Sequence, residues 1–222
     1  MKWTDPIMQE LANKYPAPIF SDQSDALYEK LIESIISQQL SIKAADTIYM
    51  KFKALFTVIT DKKNQSTKLV IPAKAGIQKQ QLDPGSASGM TSFPTPQQIL
   101  AMPDETLRIA GISFRKISYI KSVADAFLSG LIDEQKIKHM TDEEVIAALT
   151  QIRGVGKWTA EMILIFTLKR PDVFSLGDLG LRNAITNLYG ITDWEKMLEL
   201  SRTWSPNRST ACWYLWKSLE NK

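Results

Sequence analysis

The chain has 222 residues, a formal net charge of +3, one cysteine and one histidine. This length suits one compact domain or two small lobes sharing a core, and no apolar run approaches the roughly 18 to 20 residues that span a bilayer. A lone Cys212 excludes an intramolecular disulfide, a four-cysteine zinc site and an iron–sulfur cluster held by four cysteines. The single His139, in a polar stretch, argues against histidine-based metal or triad chemistry. The mild basic bias permits nucleic-acid binding without requiring it. The opening MKWTDPIMQEL lacks the basic and apolar regions of a secretory signal, so a cytoplasmic protein with no membrane partner is expected.

Apolar spacing is helical almost throughout. Leu27, Leu31, Ile35 and Ile36 share one helical face, with Glu29, Lys30 and Glu33 largely opposite. After a break around Gln38 to Ser41, the residues Ile42, Ala45, Tyr49, Phe52 and Phe56 repeat the pattern. Residues 58–92 do not: they are polar, rich in Gly, Pro, Ser and Gln, and follow no sustained period. A structureless stretch of this length is uncommon inside a compact domain. Its wording resembles translated repeat elements found in some bacterial genes, and we read it as an insertion rather than a lid. Further helices are predicted over 113–129, stopped by Gly130, and over 141–150, opened by the capping box Thr141-Asp142-Glu143-Glu144. No alternating strand pattern stands beside these, so the fold is predicted to be all-α.

The strongest local signal is Thr150-Gln151-Ile152-Arg153-Gly154-Val155-Gly156-Lys157-Trp158-Thr159. A capped helix ends, a Gly-Val-Gly turn follows, and a second apolar helix containing Met162, Ile163, Ile165 and Phe166 begins at once. Gly154 and Gly156 permit positive φ and close approach of the backbone to a partner. The free amides at the start of the second helix suit an anion such as a DNA phosphate. A nucleotide-binding P-loop would need glycine where Gln151 stands and Ser or Thr where Trp158 stands, so that reading fails. A plain helical corner without a ligand remains the alternative. Further on, Pro171-Asp172-Val173-Phe174-Ser175-Leu176-Gly177-Asp178 leads into a helix predicted over 179–189, and Asp178 is well suited to cap it.

These segments resemble the helix-hairpin-helix DNA glycosylase family, and within it the 3-methyladenine DNA glycosylase II type. The resemblance covers roughly 27–56 and 93–216. It includes Ile35-Ile36-Ser37-Gln38-Gln39-Leu40-Ser41 with Ala44-Ala45, Gly111-Ile112-Ser113 with Arg115-Lys116, the hairpin, and Trp204-Ser205-Pro206-Asn207-Arg208-Ser209 through Trp213-Tyr214-Leu215-Trp216. It implies that Asp178 is the catalytic carboxylate, stabilising an oxocarbenium-like sugar as an alkylated purine leaves. It implies a base pocket of Trp158, Met162, Leu179 and Trp216, each of which has core packing as its alternative. DNA contacts would come from Gly154, Val155, Gly156, Lys157 and Thr159. Gln39 would be the wedge filling the vacated base stack, or else a solvent-facing loop residue.

The carbonyls of Thr150, Ile152 and Val155 would hold a structural monovalent cation, and no other cofactor is required. In bifunctional relatives such as endonuclease III, a Schiff-base lysine stands where Trp158 stands here. Lys157 lies about 100° away around the helix, so a monofunctional hydrolase acting on damaged double-stranded DNA as a monomer is expected. Gly177 stands where an acidic residue often accompanies the catalytic one, and an N-terminal β-rich domain of some members has no room. The implied architecture is two helical lobes, 24–166 and 1–23 with 167–222, flanking a cleft. Glycosylases for uracil, hypoxanthine or mismatched adenine, or a non-catalytic DNA-binding module with Asp178 as a cap only, are the competing readings.

Overall fold

Many of the helices start where a side chain satisfies the orphan N–H groups of the first turn. In the computed structural model, which describes residues 2–18, 26–56 and 93–220, Asp5 caps α1 (Pro6–Lys14) and Ser41 caps α3 (Ile42–Ala54). Helix α2 (Leu27–Ser37) lies between them. Thr95 and Gln98 form a capping box on α4 (Pro96–Ala101), which is followed by α5 (Asp104–Ile109). Ser113 caps α6 (Phe114–Leu128), and α7 is Glu134–Ile137. Thr141 and Glu144 form the expected capping box on α8 (Asp142–Leu149). Then come α9 (Lys157–Met162), a π-helical turn (Ile163–Thr167), α10 (Leu179–Tyr189), α11 (Trp194–Arg202) and α12 (Arg208–Leu219). Among the described residues there is no strand, and no helix is long and apolar enough to cross a membrane. The segment 58–92 lies outside the described residues.

Contacts divide the chain into two groups, 1–30 with 132–151 and 155–222, and 31–131 with 152–154. These groups part at 30 and 131 rather than at 24 and 166, and several side-chain ties lie within the first of them. Arg170 donates to the carbonyls of Lys138 and Met140 and pairs with Asp142 at 3.6 Å. Trp158 and Glu161 of α9 bond to Asp178 and Ser175. Residues on both sides of the hairpin are thereby fastened to the C-terminal part of the chain.

The first group is built on Met8, Leu11, Leu181, Ile185, Met197, Trp204, Cys212 and Leu215. Burial pushes the Cys212 thiol up to about 12, which keeps it protonated and unreactive. Asp5 ties the N-terminus into this core. One carboxylate oxygen caps α1 through the N–H groups of Ile7 and Met8, and the other accepts from Tyr189 Oη at 2.8 Å and Trp204 Nε1 at 2.9 Å. In the second group the face predicted for α2 is buried at Leu31, Ile32, Ile35 and Ile36. The Phe52 ring lies 5.3 Å from Phe56 and 6.1 Å from Phe93.

Asp5→Ala removes a cap and strands the indole N–H of Trp204, a buried side chain. It is expected to cost about 2–4 kcal/mol, read as a lower midpoint in chemical denaturation.

Candidate active site

Asp178 ends an irregular loop and starts α10. Its N–H donates to the Ser175 carbonyl at 3.0 Å, and its Oδ1 accepts from the Leu181 N–H at 2.8 Å, so the expected helix cap is present. The carboxylate also has two aromatic partners. Trp216 Nε1 of α12 donates to Oδ1 at 3.0 Å, and Trp158 Nε1 of α9 donates to Oδ2 at 2.7 Å. A carboxylate offers about four acceptor positions. Two on Oδ1 and one on Oδ2 are filled, which leaves one free lobe on Oδ2.

Two residues not singled out from sequence set this geometry. A methyl group on Gly180 would stand 3.0 Å from Asp178 Oδ1 and 3.3 Å from Trp216 Cδ1, so only glycine lets the indole approach without displacement. Arg182 donates to the carbonyls of Leu176 and Gly177 at 3.0 and 2.8 Å, and its guanidinium covers the Trp194 ring at 4.7 Å. It thereby fixes the two residues preceding Asp178. Neither role has a signature beyond identity: a glycine and an arginine on a helix are ordinary in sequence.

The pocket residues implied by resemblance are partly assembled. Trp158 is 44% exposed and Leu179 62% exposed, so both present apolar surface to a ligand. Trp216 is half-buried, and the exposed Phe166 stacks on it at 5.6 Å and 30°. Phe166 was expected only as an apolar position of a helix; it lies on the π turn, a local departure that is frequent at functional sites. Met162 is half-buried one turn beyond Trp158.

Around the hairpin, expectation and structure differ in two places. Gly154 has φ +95°, but Gly156 has φ −93°, so only the first glycine uses the left-handed region. Gly154 also lies against Tyr119, whose Cγ would be 2.3 Å from an added methyl, whereas nothing lies within 4 Å of one on Gly156. Thr159 and Val155 are buried, so neither side chain is offered to a partner; Thr159 retains its main-chain N–H on an α9 terminus that has no side-chain cap. Lys157 is exposed and points to the buried Glu161, 3.8 Å away. The carbonyl of Gly154 accepts from Gln38 Nε2 at 3.1 Å. Gln39 is exposed with φ +58°.

Fold and site together define a helix-hairpin-helix protein of DNA glycosylase architecture. The chain belongs to the HhH-GPD superfamily of base excision DNA repair proteins, whose model matches residues 32–206. It is 36% identical to DNA-3-methyladenine glycosylase 1 of Schizosaccharomyces pombe over 195 residues, 86% of this chain and 72% of that one. Among solved structures, it resembles the 3-methyladenine DNA glycosylase of the same yeast in complex with abasic DNA. The TM-score is 0.73 at 34% identity, over 97% of this chain and 92% of that one. It also resembles a DNA-3-methyladenine glycosidase from Bacillus halodurans, with a TM-score of 0.72 at 31% identity, over 98% and 86% of the two chains.

Alanine at the two hairpin glycines separates their roles. Gly154→Ala must displace the Tyr119 ring and hold an L-residue at φ +95°, and is expected to destabilise the fold by about 2 kcal/mol or more. Gly156→Ala is expected to leave thermal unfolding within about 0.5 kcal/mol of the parent.

Proposed function

We propose that this protein is a monofunctional DNA glycosylase that hydrolyses the N-glycosidic bond of alkylated purines, of the 3-methyladenine and 7-methylguanine kind, in base excision repair. The observation that carries the reading is a carboxylate held by three N–H donors, with one free lobe on Oδ2, beside exposed aromatic faces. An N-alkylated purine bears positive charge and stacks favourably on electron-rich rings such as Trp158 and the Phe166–Trp216 pair. When the glycosidic bond breaks, its electron pair leaves with the base and C1′ becomes oxocarbenium-like. The fixed Asp178 carboxylate stabilises that cation without reorganising, and its free lobe orients the water that attacks C1′. The products are the free base and an abasic site.

Hydrolysis without strand cleavage is supported at two positions. Trp158 occupies the place of the Schiff-base lysine, and Lys157 is directed to Glu161. For DNA binding, the reading assigns the main-chain amides of Lys157, Trp158 and Thr159 and the open surface at Gly156 to a backbone phosphate. The same reading includes a monovalent cation at the carbonyls of Thr150, Ile152 and Val155, which would add positive charge at the turn. It is also of a monomer that acts on DNA in the cytoplasm.

Purified protein is expected to release 3-methyladenine and 7-methylguanine from methylated duplex DNA, with strand breaks only after alkali. Asp178→Asn sets an N–H donor against Trp158 or Trp216 and removes the charge. It should lower single-turnover release on the order of 10²-fold or more. Undiminished release by this variant would refute the assignment, and strand cleavage without alkali would refute the monofunctional reading. Trp216→Phe keeps a ring against Phe166 but deletes one donor to Oδ1; a loss on the order of 10-fold in single-turnover rate is expected, with the thermal midpoint little changed.

A further inference from the structure

The block Gly111-Ile112-Ser113 with Arg115-Lys116 lies away from the carboxylate in sequence, and the proposed chemistry does not use it. Its geometry has a purpose of another kind. Gly111 turns the chain at φ +93°, and Ser113 caps α6 by accepting the Lys116 N–H at 3.3 Å. The Lys116 side chain then reaches the C-terminal end of α2, where Nζ donates to the carbonyls of Ile36 and Gln38, each at 2.7 Å. An ammonium group at a helix C-terminus satisfies carbonyls that have lost their helical partners and opposes the negative end of the dipole.

The residue that follows is Gln39. It is exposed, and it holds φ +58°, a region that residues with a Cβ rarely occupy unless their surroundings require it. The surroundings do. The Gln38 carbonyl is gripped by Lys116, and the Gln38 side chain donates to the Gly154 carbonyl at 3.1 Å. On the other side of Gln39, the Leu40 N–H is bonded to the Ser37 carbonyl at 3.1 Å, and Ser41 is spent capping α3. Every neighbour is anchored while the Gln39 side chain is left free.

We propose that Lys116 is a positioning residue: it locks the turn 36–40 so that the backbone of Gln39 is preset to project its side chain as a wedge, and Gln38 ties that turn to the hairpin glycine. The proposal rests on the reading of Gln39 as the group that fills the stack vacated by a flipped base. A flexible turn would lose backbone freedom on insertion, whereas a turn already fixed leaves only the Gln39 side-chain torsions to be ordered. Lys116 acts through the turn and not on a phosphate, because both of its carbonyl bonds would have to break for it to reach DNA.

The test compares Lys116→Met, Gln39→Ala and the double variant, each checked for native unfolding. Three readouts are used: amide exchange in the free protein, fluorescence of 2-aminopurine beside a tetrahydrofuran abasic analogue in duplex DNA, and single-turnover release of 7-methylguanine. Lys116→Met should lose exchange protection at the Leu40 amide. It should also reproduce the fluorescence change of Gln39→Ala, and slow release on the order of 10- to 100-fold, with the double variant no worse than either single one. The slope of log binding constant against log salt should not change. A slope reduced by about one would make Lys116 a phosphate contact and overturn the proposal. So would a normal fluorescence signal and rate in Lys116→Met when Gln39→Ala has lost both. If Gln39→Ala is itself silent in both DNA assays, the wedge reading fails, and that result is distinct from failure of the clamp, which the exchange data report separately. Should Lys116→Met not fold, Lys116→Gln, whose shorter uncharged side chain cannot reach both carbonyls, takes its place with the same outcomes.

Discussion

The site depends on one carboxylate and the three N–H groups that hold it. Leu181, Trp216 and Trp158 approach Asp178 from its own helix, from α12 and from α9, so three elements meet at two oxygen atoms. An isolated helix cap needs only the first of these bonds. The two indoles turn a cap into an oriented acceptor, because each fixes an oxygen in a direction that the backbone alone leaves free. The same bonds orient the rings that carry them, so the aromatic surface and the charge are positioned together.

This arrangement is maintained by polar ties that are local in space and distant in sequence. Glu161 on α9 accepts the Ser175 hydroxyl of the loop before Asp178, beside the Trp158 bond from the same helix. A second attachment of this sort prevents rotation about the first. Arg182 holds the carbonyls of the intervening loop, and Gly180 leaves room for Trp216. Asp172 supports the loop further back, taking a bidentate contact from Arg208 at 2.8 and 3.1 Å and a hydroxyl from Ser205 at 2.8 Å. Buried or half-buried polar groups that are satisfied in this way define a single geometry more strictly than apolar packing does.

Glycines in this chain show that one residue type serves unlike purposes. Gly154 is required by its own φ and by the Tyr119 ring, and Gly180 by the indole it faces. Gly156 is in an extended conformation with open space where a side chain would be, so the fold makes no demand on it. What remains is access for something outside the chain, which agrees with the phosphate contact proposed for that turn.

Helix positions were legible from the amino-acid order because they depend on neighbours within one turn. Thr141 with Glu144, Ser113, Ser41 and Asp178 are caps whose partners lie three residues away, and the buried face of α2 repeats with the helical period. The hairpin and Asp178 were recognisable for the same reason, as short contiguous motifs. Tertiary structure decided the rest. The indole of Trp216 meets Asp178 across 38 residues, Lys116 meets Gln38 across 78, and Arg170 draws the segment around Met140 to the C-terminal part of the chain. No local period records such pairings, since each depends on where helices come to pack. Sequence therefore determined which groups were available, and packing determined which of them share a carboxylate, a turn or a ring.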